Sequence, residues 1–226
     1  SYLYDRKAQT LREFYNTRPE LDGAPLQVMH PLEIPARDGL TLPSYLTLPS
    51  GSDPAGTGVP SAPVPLVLDV HGGPWARDGY GYNRLHQWLA NRGYGVLSVN
   101  FRGSTGFGKN FINAGNLEWA GKMHDDLLDA VAWAVSAGVA DAGKVAIMGG
   151  SFGAYSSLVG LAVSPQVSAY LVDIVGPSNL ETLLETIPPY WEPMVKQFHE
   201  RMGNPNSPEG LQALKDRSPI HKAGQI

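Results

Sequence analysis

The sequence predicts an α/β fold: a mainly parallel sheet with helices on both faces, entered through an antiparallel pair of strands. Three observations predict it. Short, continuous apolar runs recur at PLVLDV (65–70), YGVLSVN (94–100), KVAIMG (144–149) and AYLVDIV (169–175), and such runs suit strands buried on both faces. Segments of helical period lie between them, closed by glycine. The alternation of the two is the pattern of parallel strands joined by crossover helices.

Each element follows from its residues. Residues 2–18 are mixed and polar, and their weak periodicity predicts no strong element. LQVMHPLEI (26–34) and LTLPSYLTL (40–48) alternate roughly around the turn ARDG, which predicts an antiparallel pair. PSGSDPAGTGVPSAPVP (49–65) is dense in Pro, Gly and Ser and predicts an exposed loop. YNRLHQWLANRG (82–93) predicts a helix ended by Gly93. In GKMHDDLLDAVAWAVSAG (121–138), Leu127, Leu128, Val131 and Val135 share one face, acids come early and Gly138 follows the end. The run at 144–149 leads into Ser151, from which a helix extends to about Ala162. AYLVDIV is read as a further buried strand, and the chain then enters a Pro-rich helical or loop region.

Composition narrows the function. With 17% charged and 42% hydrophobic residues among 226, the chain has the make-up of one folded domain rather than a disordered one. A net charge of −4 without a basic stripe argues against nucleic acid and anionic membranes as partners. The lack of cysteine excludes disulfides, thiolate metal sites and thiol catalysis. No uninterrupted run approaches the ~18 apolar residues of a membrane span, and SYLYDRKAQT holds no apolar signal core. No two histidines have metal spacing with acids nearby. The expectation is a cytoplasmic protein with no metal and no cofactor.

Two motifs carry chemistry. Gly149-Gly150-Ser151-Phe152-Gly153 fits G-x-S-x-G between a strand and a helix, the context in which such a serine is a nucleophile. A sharp strand-to-helix turn strains the serine backbone and leaves no room for side chains two residues away on either side. The helix start adds a positive dipole end, and the Phe152 N–H is placed to hold an oxyanion. In LDVHGGPWARD (68–78), His-Gly-Gly follows a strand, and glycines there let backbone N–H groups point into a site. Gly73 N–H is the expected second oxyanion donor. His71, fixed beside that loop, is expected to make local hydrogen bonds rather than act as a base. Asp125 and Asp126 are adjacent on a helix and point about 100° apart, so one faces solvent and the other anchors a loop. An internal base would have to come from His199 or His221, paired with Asp173 or Asp216. Asp216 and His221 are too close in sequence for two separate strands, and the direction of Asp173 inside its strand is open.

Taken together, VHGGP, GYGVLSVNFRGSTGFGKNF, GKMHDDLLDAVAWAV, VAIMGGSFGAYSSL and IVGPSNLETLLETIPPYW resemble the prolyl oligopeptidase family of serine peptidases, above all its acylaminoacyl-peptidase and dipeptidyl-aminopeptidase branch. The resemblance runs from about Tyr4 to the end. It implies an α/β-hydrolase domain preceded in the family by a β-propeller, with residues 1–24 as a remnant of the propeller exit and 25–226 as an incomplete catalytic domain lacking the last strands. It implies Ser151 as nucleophile, Gly73 and Phe152 as oxyanion donors, and Pro188, Pro189, Tyr190 and Trp191 near the substrate entrance. Phe and Ala stand at 152 and 154, where the family often has Tyr and Gly. The implied triad acid and histidine follow the serine on two later strands, which this sequence does not contain. The implied reaction is acyl transfer from a peptide or small ester. The strand at 169–175 would then be an open edge, predicting a homo-oligomer or a complementary chain that covers it. The competing expectation is a non-catalytic interaction fragment with an unpowered elbow.

Overall fold

In the computed structural model, which describes residues 1–226, the four apolar runs form the parallel part of one six-stranded sheet. The strands are β1 (Tyr2–Asp5), β2 (Thr10–Glu13), β3 (Met29–Pro35), β4 (Thr41–Thr47), β5 (Val64–Val70), β6 (Gly95–Val99), β7 (Ala140–Gly150) and β8 (Tyr170–Ile174). The helices are α1 (Arg84–Ala90), α2 (Lys109–Asn113), α3 (Lys122–Ser136), α4 (Phe152–Val163), α5 (Leu180–Glu185), α6 (Glu192–Met202) and α7 (Pro208–Asp216). The sheet order is β3-β4-β6-β5-β7-β8. β3 and β4 pair antiparallel, β4 joins β6 antiparallel, and β6, β5, β7 and β8 are parallel.

Alternation along the strands sorts side chains onto two faces. Leu66, Leu68 and Val70 of β5 enter the large core with Met123, Leu127 and Val131 of α3 and Phe152, Tyr155 and Val159 of α4. Val67 of β5 faces the other way and packs with Val96 and Leu89 under α1. Helices therefore cover both faces, as expected. α1 starts at an Asn83 cap whose side chain accepts from Leu85 N and His86 N, a tighter start than the periodicity alone implied.

The adjacent acids of α3 divide as the 100° rule requires. Asp126 is fully buried and takes Arg102 in two charge-assisted bonds, Nη2 to Oδ1 at 2.7 Å and Nε to Oδ2 at 2.9 Å. The other side of the same guanidinium meets Asp38 at 2.8 and 3.0 Å. Asp125, more exposed, bonds Arg37 at 2.9 Å. The β3–β4 turn, the loop after β6 and α3 are thus held by two arginines.

Two expectations change. Residues 2–18 do form an element: β1 and β2 pair as an exposed antiparallel hairpin, whose polar alternation is too short to register as a period. AYLVDIV is not buried as the apolar run alone suggested; it is the open edge that the family resemblance implied. β8 pairs only with β7, and Tyr170, Val172 and Ile174 are exposed. An apolar run reports β-propensity; position in the sheet decides burial, and β8 is the edge.

Candidate active site

The turn between β7 and α4 places Ser151 at φ 55°, ψ −115°, backbone angles that a non-glycine residue adopts only under strain. Such strain costs on the order of 1–3 kcal/mol and persists where the surroundings over-determine it. The surroundings are visible. A Cβ on Gly149 would lie 2.5 Å from Val70 O and 2.6 Å from Gly153 C, and one on Gly153 would run into Val70 C at 2.8 Å. Close crossing of β7, α4 and the end of β5 demands both glycines. Ser151 N donates to Ile174 O at 3.0 Å, tying the turn to β8. The serine side chain stands exposed at the tip.

Donors surround it. Phe152 N–H is the first of the helix and has no intrahelical acceptor. Gly73, at φ 126°, keeps its N–H free of any acceptor in the chain. Gly73, Ser151, Phe152 and Trp191 line one cavity of about 270 Å³. Trp119, Val175, Leu183, Leu184, Ile187 and Phe198 complete a mostly apolar wall. The structure thus unites Gly73, Ser151, Phe152 and Trp191 of the predicted site residues. Pro188 and Pro189 do not line the cavity, and neither does Tyr190. It is 78% exposed and stands edge-on to Trp191 at 6.3 Å, outside the cavity wall.

The wall is itself strained. Val175, a β-branched residue, sits at φ 59°, and Leu117 and Ala120 flank Trp119 at φ 59° and 52°. Trp119 stacks edge-on against Phe152 at 4.6 Å. Phe198 packs on Trp75 and Trp191, which brings α6 over the cavity. Sequence reading missed Trp119, for which no local pattern exists. It also missed Phe198, although Trp191, Val195, Phe198 and Met202 recur at helical spacing.

The histidines stand elsewhere. His71 Nδ1 bonds Gly72 O at 2.7 Å and Nε2 meets Ser104 Oγ at 2.9 Å, with the ring stacked on Phe101 at 4.5 Å. Burial lowers its pKa. It shapes the loop, as expected, and does not reach Ser151. His86 is engaged by Thr47 and Ser98, and His124 by Ser164. His30 lies 3.9 Å from Asp53. His221 lines a surface groove with Gln212, Lys215 and Asp216, and His199 one with Glu181 and Glu185. Asp173, exposed on the edge strand, accepts from Gly176 N at 2.7 Å, and Asp216 accepts from Gln212 at 2.8 Å. No side chain of these 226 residues hydrogen-bonds Ser151 Oγ, so the internal pairings considered from sequence are not assembled.

A strained serine at a strand-to-helix turn, free N–H groups beside it and an apolar cavity at its foot define an α/β-hydrolase of the nucleophile-elbow class. Solved structures agree on the fold. Pyrococcus horikoshii acylaminoacyl peptidase superposes with a TM-score of 0.82 at 21% identity, over all of this chain and 34% of that one. A Mycobacterium tuberculosis puromycin-hydrolyzing peptidase gives 0.83 at 24%, over all of this chain and 34% of that one. Residues 81–225 match the prolyl oligopeptidase family, and the chain belongs to that family of serine peptidases. It is 60% identical over its whole length to dipeptidyl aminopeptidase BIII of Pseudoxanthomonas mexicana and 47% identical to dipeptidyl peptidase family member 6 of Caenorhabditis elegans. It spans about a third of those curated relatives, 33% and 32% of their lengths.

Proposed function

We propose that this chain carries the nucleophile half of a serine hydrolase that cleaves peptide or small-ester bonds through an acyl-serine intermediate. Ser151 Oγ attacks the carbonyl carbon. Gly73 N–H and Phe152 N–H receive the oxyanion as it forms. The apolar cavity between Trp119, Leu183, Ile187 and Phe198 takes the side chain on the acyl side of the scissile bond, and Tyr190 and Trp191 stand at its entrance. The single observation that carries the reading is Ser151 at φ 55° on the mouth of that cavity. Relatives named as dipeptidyl peptidases favour peptides over esters.

Deprotonating Ser151 requires a base, and the six histidines here are occupied or distant from it. We assign the base and its acid to a segment outside these 226 residues that pairs along β8 and brings a histidine to Ser151. That segment is a continuation of the same polypeptide or a complementary chain; residues 1–24 are read as a linker to a neighbouring domain. A second reading, an interaction module with an unpowered elbow, rests on the unbonded Ser151 Oγ. Fluorophosphonate labelling with peptide mapping separates them. It is run on this chain alone and on the longest natural polypeptide that contains it. Labelling of Ser151 only in the longer form supports the assignment. No labelling of a folded longer form removes the hydrolase reading.

A further inference from the structure

Each oxyanion donor is backed by an aromatic side chain that belongs to the cavity wall or leans on it. Trp119 lines the cavity and meets the Phe152 ring edge-on at 4.6 Å. Trp75 follows Gly73 by two residues and packs at 5.4 Å on Phe198, another wall residue. The link from Trp75 back to Gly73 is tight. A Cβ on Gly73 would lie 2.7 Å from Trp75 N and 3.0 Å from Ala76 N. A shift of the Trp75 backbone is therefore felt at Gly73, whose N–H is the donor.

Arg201 joins the two sides. It lies in the last turn of α6, three residues beyond Phe198. Its guanidinium stands 5.8 Å from the centre of the Trp75 ring, and Nη1 donates to Asn116 Oδ1 at 3.0 Å. Its carbonyl accepts from Leu117 N at 2.7 Å. Asn116 and Leu117 open the segment that carries Trp119, in which Leu117 and Ala120 hold positive φ. Strain of that kind persists only where neighbours over-determine it, and the two bonds to Arg201 are such neighbours. Arg37 and Arg102 pair with carboxylates; Arg201, half-buried, does not. Its contacts are instead the amide of one wall segment and the indole that backs Gly73.

We propose that Arg201 is a positioning residue that couples the filling of the apolar cavity to the alignment of the Gly73 and Phe152 N–H groups, so that the enzyme selects the acyl-side side chain through the rate of acylation rather than through binding. A side chain that fills the cavity supports Phe198 and Trp119 from within. Arg201 makes these two aromatics move as one wall, and Trp75 and Phe152 carry the support to the donors. A small side chain leaves the wall unsupported, and a misplacement of about 1 Å at the reacting groups lowers a rate by about 10²-fold. The contact energy of the larger side chain is thus realised in the transition state. Arg201 itself stays outside the cavity lining. The inference rests on the reading of Gly73 and Phe152 as oxyanion donors and of the cavity as the acyl-side pocket.

Single-turnover kinetics on the longest natural polypeptide that contains this chain test it, because they separate binding from acylation. The probes are two dipeptide anilides with alanine or leucine on the acyl side of the scissile bond. In wild type the acylation rate constant is expected to be at least about tenfold higher for leucine, with similar Kd values for the two. Arg201→Met is expected to remove most of that ratio without changing Kd. Arg201→Lys is expected to do the same, since an ammonium cannot bond Asn116 and cover Trp75 with one planar group. Trp75→Ala should also lower the ratio, and Arg201→Met added to it should lower it no further. A wild-type preference expressed in Kd overturns the coupling. So does an equal loss of acylation for both substrates in Arg201→Met, the result of a merely structural role. If Arg201→Met does not fold, Asn116→Ala, which removes only the acceptor, decides by the same ratio. A folded wild type whose Ser151 is never acylated overturns the hydrolase reading, and this inference falls with it. An acylated wild type without a leucine preference overturns this inference alone.

Discussion

At the scale of single residues, the elbow sets the sharpest expectations. Ser151→Ala keeps the strained turn and removes the oxygen. Fluorophosphonate labelling of the intact enzyme should vanish while its thermal unfolding stays unchanged; residual labelling elsewhere in the chain would displace Ser151 as nucleophile. Gly153→Ala drives a methyl into the Val70 backbone, which cannot yield as a side chain can. It should cost about 1–3 kcal/mol, the range for overpacking, read as a lower urea midpoint. Buried titratable groups act in opposite directions on stability. His86 and His124 are pushed down to about 4 by burial, so between pH 6.5 and 4 the unfolded chain binds protons that the native one refuses. Their contribution is lost as pH falls through that window. Asp69 and Asp78, raised to about 6 and about 7, do the reverse: the native state holds the protons, and stability is lost as pH rises from about 4 to 7. The two effects offset, giving a shallow wild-type profile. Asp78→Asn should unmask the histidines, so that the urea midpoint rises more steeply from pH 4 to 7 than in wild type. An identical slope in the two proteins would contradict this.

At the scale of elements, the ion cluster around Arg102 joins the β3–β4 turn to α3 and to the loop after β6. Asp126 is fully buried and supplies two of its bonds. Removing one partner of a buried pair leaves an uncompensated charge, a loss of about 3–5 kcal/mol. Asp126→Ala should show that loss in chemical denaturation, whereas Asp125→Ala, at the exposed Arg37 pair, should cost under about 1 kcal/mol. Comparable losses at the two positions would mean that burial does not separate the two acids. The cavity wall depends on elements too: α6 delivers Phe198, and Leu117 N donates to Arg201 O at 2.7 Å, fastening the Trp119 segment to α6.

At the scale of the whole molecule, β8 is an open edge with Val172 45% and Ile174 50% exposed. Isolated edges of this kind pair with other strands. The 226-residue chain alone should self-associate at tens of micromolar in sedimentation, and Val172→Lys should return it toward monomer. A monomeric wild-type chain at that concentration would remove the edge as an association surface.

Local chemistry determined much of this protein. G-x-S-x-G between a strand and a helix marks the elbow without reference to any distant residue, although Val70 and Ile174 hold the turn in place, and HGG after β5 marks the loop whose backbone N–H is free. The helix of 122–136, the antiparallel entry and the parallel strands likewise follow from period and punctuation, because those patterns arise from bonds between near neighbours. Tertiary structure decided what depends on who stands opposite. It left Tyr190 outside the cavity while Trp119 and Phe198 entered it, and it buried Asp126 against Arg102 while Asp125 stayed at the exposed Arg37 pair. Those outcomes lie between segments tens of residues apart, and burial and contact are properties of the packed sheet, not of any run of residues within it.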